Sequence, residues 1–184
     1  MNNQKTQIIS FFGAPGVGKT HLIEQVSPAT GIFYFDREVI LDSIFKDDRE
    51  SANYRSLTGP ITAATWNIAM RNAQIGASTI LESPMTPTLQ GKPSSFIDDA
   101  LKLAEQQNGI QVKLIYCVAP ENQLMINLKK RGLKRDEPKY SDWNRYVEMF
   151  VNVPGPTGLY EHLRIDTTRS TQENVKTILN YLQK

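Results

Sequence analysis

Ile8-Ile9-Ser10-Phe11-Phe12-Gly13-Ala14-Pro15-Gly16-Val17-Gly18-Lys19-Thr20-His21-Leu22-Ile23 is the stretch on which the fold turns. Residues 13–20 read G-x-x-x-x-G-K-T, a complete phosphate-binding loop. The apolar run before it reads as a buried strand, and the residues from Lys19 onward read as the first turns of a helix. Strand, loop and helix are the context in which the motif has a physical meaning. The glycines let successive backbone N–H groups turn inward toward an anion, and no Cβ blocks its approach. The helix N-terminus adds free donors and the positive end of its dipole. Gly13, Ala14, Pro15, Gly16, Val17 and Gly18 thus form a cradle for a nucleoside triphosphate. Lys19 supplies a mobile charge for its β- and γ-phosphate oxygens, and the Thr20 hydroxyl is placed to bind Mg²⁺.

Composition narrows the setting. At 184 residues the chain is expected to form one domain with a sizeable core. The 21 basic and 19 acidic side chains nearly cancel, so charge alone does not argue for a nucleic-acid surface. No stretch approaches the length of a membrane span, and no partnership with a membrane is expected. Met1 to Gln7 carries no apolar core of the kind a signal peptide has. One cysteine, Cys117, lies in an apolar run and reads as a core residue; a reducing cytoplasm is the expected compartment.

Outward from the loop, strands and helices alternate, which predicts a parallel sheet covered on both faces. Strands are expected at residues 7–12, 32–35, 79–81, 112–118 and 163–165. Ser27-Pro28-Ala29-Thr30-Gly31 is expected to break the first helix. A short helix should follow the second strand with Val39, Ile40 and Ile44 on its apolar face. Residues 47–56 and 83–93 read as exposed loops. A long helix is expected to begin at Thr58-Gly59-Pro60 and stop near Gly76. Later helices are expected over residues 95–107, from Pro120 to Gly132 with Leu124, Ile126 and Leu128 inward, and around Trp143, Tyr146, Val147 and Phe150. Ser170 and Glu173 form a capping box that opens the last helix. The pattern is a three-layer, doubly wound α/β fold with five strands, whose ligands bind beyond the carboxyl ends of the strands.

Those strand ends carry carboxylates. Asp36 can accept a proton from a substrate hydroxyl or hold a water on Mg²⁺; it is equally a helix N-cap by type. Glu82 can order a Mg²⁺-bound water, contact substrate, or simply be solvated. Asp166 reads as fixing the turn after the last strand. Lys129-Lys130-Arg131-Gly132-Leu133-Lys134-Arg135-Asp136 carries five cations in eight residues. Such a run is a solvated face, a nucleic-acid contact, or a segment closing over phosphates with two arginines four residues apart.

The phosphate loop, Asp36 at the second strand's end, the basic run and Leu163-Arg164-Ile165-Asp166-Thr167-Thr168 together resemble the small P-loop kinases. That group of AAA-type ATP-binding proteins includes polynucleotide kinase, chloramphenicol phosphotransferase, gluconate and shikimate kinases, and the zeta toxins. The resemblance implies a strand order of 2-3-1-4-5 and a small lid at about residues 129–140. It gives Asp36 the role of base and brings Arg131 and Arg135 onto the γ-phosphate and adenine. Thr168, within residues 167–170, would border the adenine. It departs from polynucleotide kinases at position 39, a valine where they usually carry arginine. The expected activity is transfer of the γ-phosphoryl of ATP to a hydroxyl of a small molecule, a nucleoside or nucleotide, or a polynucleotide end. Nucleic acid would then be a partner only as that end. The competing expectation is an ATP-driven conformational switch without an acceptor.

Overall fold

The computed structural model describes residues 5–46, 51–83 and 85–184. Residues 47–50 of the first expected loop, and Pro84 of the second, lie outside the described residues, as do the first four.

Five strands, β1 (Thr6–Phe12), β2 (Phe33–Asp36), β3 (Thr79–Glu82), β4 (Ile110–Val118) and β5 (Leu163–Asp166), form one parallel sheet in the order β2-β3-β1-β4-β5. The central strand is the apolar run that precedes the phosphate loop, and it is buried on both sides. Ile9 and Phe11 enter one core with Leu22, Ile23 and Val26 of α1 (Lys19–Thr30) and Ile178 and Leu182 of α9 (Thr171–Leu182). Ile8 and Phe12 enter the other, with Trp66 and Ala69 of α3 (Ala52–Gln74) and Ile97 and Ala100 of α5 (Ser95–Gln106). Period-two alternation along a strand flanked by helices thus yields two apolar layers. Cys117 of β4 is buried in the first core, and burial pushes its thiol up to about 12.

Three expectations about boundaries are corrected. Pro28 does not break α1, which runs on to Thr30 and ends at Gly31 in the left-handed region. The proline withdraws one donor in the last turn, and the residue whose carbonyl it frees, Glu24, is exposed to water. The long helix begins six residues before Thr58, at Ala52, because Ser51 caps it by accepting from the Tyr54 N–H at 3.1 Å. Gly59 and Pro60 stand exposed inside it, as does Ser56, the residue whose carbonyl Pro60 leaves without a helical donor. Within the expected loop at 83–93, Thr86–Leu89 forms a helical turn, α4, entered through Met85 at φ 45°.

Two apolar faces are also corrected. In α2 (Arg37–Phe45), Arg37 and Leu41 point inward while Val39 and Ile44 are exposed. This helix lies beside the edge strand and packs mainly on α3, so only a narrow stripe of it is covered. In α6 (Glu121–Arg131), Leu124 and Leu128 are buried and Ile126 is exposed. After α6 the chain makes a 3₁₀ turn at Lys134–Asp136, then α7 (Glu137–Ser141) and α8 (Trp143–Phe150). None of the described helices is long and apolar enough to cross a membrane.

Candidate functional site

The carboxyl ends of β1, β2, β3 and β5 and the length of α6 from Gln123 to Arg131 surround one cavity of about 1080 Å³. The phosphate loop forms its floor. Gly13, Gly16 and Gly18 take φ of 144°, 82° and 93°, which turns the backbone around the cradle. Two of the three have no space for a side chain. A Cβ on Gly13 would lie 2.3 Å from the Cys117 carbonyl oxygen, and one on Gly16 2.8 Å from Leu128 Cγ. Pro15 to Thr20 line the cavity. Gly13 and Ala14 lie beneath it, and their carbonyls accept from Lys19 Nζ at 2.9 and 3.1 Å.

Lys19 is buried, 3.9 Å from Glu82 Oε1. Loss of water holds its ammonium below the usual lysine range, opposed by the nearby Glu82 carboxylate. Glu82 is a hub: its Oε2 accepts from Thr20 Oγ1 at 2.8 Å and from the Tyr34 hydroxyl at 2.6 Å. Burial, reinforced by Glu82, raises the Tyr34 phenol, so it stays a donor.

Asp36 lines the cavity in register with Glu82 on the neighbouring strand. Burial raises its carboxyl; the Glu38 N–H opposes that shift and the Glu82 charge adds to it. Asp36 is also a helix cap, since its Oδ1 accepts from Glu38 N at 2.7 Å. The two readings of its sequence position are therefore compatible. Arg37 is buried, donating to Thr62 Oγ1 at 2.9 Å and to Glu38 Oε1 at 2.6 Å.

The basic run lies on the opposite wall. Arg131 and Arg135 both line the cavity, with Lys130 and Lys139. Arg131 donates through Nε and Nη2 to Asp136 Oδ2, at 2.7 and 2.6 Å. Arg135 reaches across to α2, where it pairs with Asp42 and lies 3.8 Å from Glu38. At the far end Thr168 lines the cavity beside Thr167, Thr171 and Asn174, its N–H and hydroxyl held by Asp166 Oδ1. Asp166 therefore does fix the turn after β5.

Sequence reasoning missed the supports. Asn127 donates to the Gly16 carbonyl at 2.8 Å, Gln123 donates to Asn127, and the Tyr146 hydroxyl donates to the Pro15 carbonyl at 2.6 Å. Tyr34 was the one with a signal: two residues before Asp36 on a strand, it shares its face. Tyr54 of α3 also lines the cavity, whereas Trp66 of the same helix is core and Arg71 is exposed.

A parallel 2-3-1-4-5 sheet whose first strand feeds a glycine-rich cradle defines the class, a P-loop protein with the architecture of the small P-loop kinases. More particularly, the chain belongs to the AAA-domain family, whose model matches residues 8–151. No curated protein matches its sequence significantly. Similar solved structures include a Chloroflexus aurantiacus protein provisionally described as a kinase. It is 18% identical with a TM-score of 0.72, covering 98% of this chain and 100% of that one. A sugar kinase from Janibacter is 16% identical with a TM-score of 0.65, covering 96% and 94%. The Mycobacterium tuberculosis APS kinase, in complex with AMPPNP and APS, is 17% identical with a TM-score of 0.53, covering 98% and 99%. At these identities the likeness is one of fold.

Proposed function

We propose that the protein is an ATP-dependent kinase of one domain, residues 1–184, with a lid at about 129–140. It transfers the γ-phosphoryl group to a hydroxyl of a small molecule, a nucleoside or nucleotide, or a polynucleotide end. The observation that carries this reading is a single cavity shared by Lys19, Thr20 and Asp36. It extends past the phosphate cradle to Arg37, Glu38 and Tyr54, leaving room for an acceptor beside a carboxylate.

In this reading ATP lies with its phosphates on residues 13–20 and its adenine toward Thr168. Asp36 orients the acceptor hydroxyl and takes its proton. The acceptor oxygen then bonds to the γ-phosphorus as the bond to the ADP oxygen breaks. Lys19, Arg131 and Arg135 stabilise the charge on the transferring group; for Arg135 this requires release from Asp42. Mg²⁺ fits the floor, where Thr20 Oγ1 and Glu82 Oε2 stand 2.8 Å apart as hard oxygen donors. Among the described residues no group of three or more His, Cys, Asp or Glu could hold a metal. The remaining ligands would therefore come from phosphate and water. When bound, the ion neutralises the β- and γ-oxygens.

The Chloroflexus protein, the sugar kinase and the APS kinase, all described as kinases, support the reading. A single-turnover assay with labelled ATP and a pool of hydroxyl acceptors tests it. The wild type is expected to label an acceptor, and Asp36→Asn to lose that labelling while still binding AMPPNP. Unchanged labelling by Asp36→Asn removes Asp36 as the base. Release of inorganic phosphate alone, with every acceptor, replaces the kinase by a hydrolytic switch.

A further inference from the structure

Asp136 is fully buried, yet it lies in the most cationic stretch of the chain. Its Oδ2 accepts both Nε and Nη2 of Arg131, and its Oδ1 accepts Lys139 Nζ. Its own N–H donates to the Leu133 carbonyl at 2.8 Å, closing the turn between α6 and α7. A buried carboxylate without partners would be costly. Here two cations from different helices converge on one, and both cations also line the cavity.

From this geometry we propose that Asp136 is a positioning residue for the lid, presetting Arg131 and Lys139 toward the triphosphate. The donor inventory makes the role specific. A guanidinium has five N–H groups in a rigid fork. Asp136 engages one edge, Nε and Nη2, and so fixes the plane and turns the Nη1 end away from itself. Lys139 spends two of its three N–H groups, on Asp136 and on the Arg135 carbonyl at 3.2 Å. One remains. The carboxylate also offsets one of the two positive charges, which lets them stand together before a nucleotide arrives. The lid has a fixed reference: α7 leads directly into α8, whose Tyr146 holds the Pro15 carbonyl of the phosphate loop. With the rotamers already set, less side-chain entropy is lost when the γ-phosphate binds.

The proposal rests on the kinase reading through the role of Arg131 at the γ-phosphate. Its test is the ratio of affinities for AMPPNP and ADP, measured by titration calorimetry with Mg²⁺ on the full chain, with a thermal melt of each variant. A merely structural role would lower both affinities together and leave the ratio alone. Asp136→Asn keeps the shape and removes the charge; it is expected to cut the AMPPNP-to-ADP ratio about tenfold, the scale of one charge-assisted hydrogen bond. Asp136→Glu should restore part of it. Should Asp136→Asn fail to fold, Asp136→Asn/Lys139→Gln removes one cation with the carboxylate charge and is expected to show the same loss. An unchanged ratio in folded Asp136→Asn, or in the double variant where Asp136→Asn does not fold, while Arg131→Ala lowers it, overturns the role of Asp136 and leaves the kinase reading standing. An unchanged ratio in Arg131→Ala overturns both this proposal and the assignment of Arg131 to the γ-phosphate.

Discussion

Replacing Gly13 by alanine tests how the phosphate loop is built. A Cβ there would lie 2.3 Å from the Cys117 carbonyl oxygen, 3.3 Å from its carbon and 3.3 Å from Val17 Cγ1. Carbon–oxygen contacts sit at about 3.3 Å or more, so β4 and the loop must part by about 1 Å. The obstacle is backbone in a central sheet and cannot rotate away. Overpacking of that kind costs about 1–3 kcal/mol. The φ of 144° adds strain of about 1–3 kcal/mol for any side chain. The expected total is about 4 kcal/mol, a large share of the roughly 5–15 kcal/mol that holds a domain folded. For 184 residues this corresponds to a fall in Tm of about 8–16 °C. Gly132→Ala is the control, because its φ is 63° with nothing within 4 Å of the added Cβ. It carries only the left-handed penalty, about 1–2 kcal/mol. Urea denaturation of both variants, without ligand, gives the difference. Equal losses within about 1 kcal/mol would refute the claim that the loop is seated against β4 by a missing side chain.

Other perturbations have definite signs. Because burial lowers the Lys19 ammonium, the unfolded chain binds that proton more readily between the lowered folded value and the ordinary 10.5. Ligand-free stability should rise with pH across that window, and Lys19→Met should remove this contribution while weakening AMPPNP binding about 100-fold; urea midpoints over a pH series and calorimetry check both. Asp36 is shifted the other way, above the ordinary 3.8, so its contribution to stability improves as pH falls through the folded value. The acid limb of the transfer rate should lie above 3.8, and Asp36→Asn should lower transfer about 10²–10⁴-fold without unravelling α2, because asparagine also caps helices. Tyr146→Phe, losing the 2.6 Å bond to the Pro15 carbonyl, should cost about 1 kcal/mol in stability and a few-fold in AMPPNP affinity.

What could be read ahead of the structure follows from how local each signal is. The β1 strand, the loop and the start of α1 are determined by neighbours in sequence, and they formed as expected. The order of the strands came from resemblance, and the sheet has it. The errors arose where tertiary context outweighs local preference. Pro28 looks like a breaker and Pro60 like a first-turn residue, yet the residues four before them, Glu24 and Ser56, are exposed, so each helix continues through its proline. Val39 and Ile44 look like a core face, but α2 sits at the sheet's edge with little to pack on. Asp36, Glu82, Arg131 and Arg135 were legible because charge at a strand end or in a run stands out. That Arg131 is held by Asp136 while Arg135 crosses to Asp42 was not, because pairing depends on how α6, α7 and α2 meet in space.

The position of β1 at the centre of the sheet has a consequence for how such a protein diversifies. On one flank, β4, β5, α6 and α9 surround the end of the cavity assigned to the nucleotide. On the other, β2, β3, α2 and α3 carry Asp36, Arg37 and Tyr54. The two flanks meet across β1 and a bridge from Arg135 to Asp42. Substitutions in α2 and α3 can thus accumulate without disturbing the triphosphate cradle. On the kinase reading, a new acceptor can be acquired by rewriting α2 and α3, while Glu82 of β3, which binds Thr20 and lies beside Lys19, stays with the cradle.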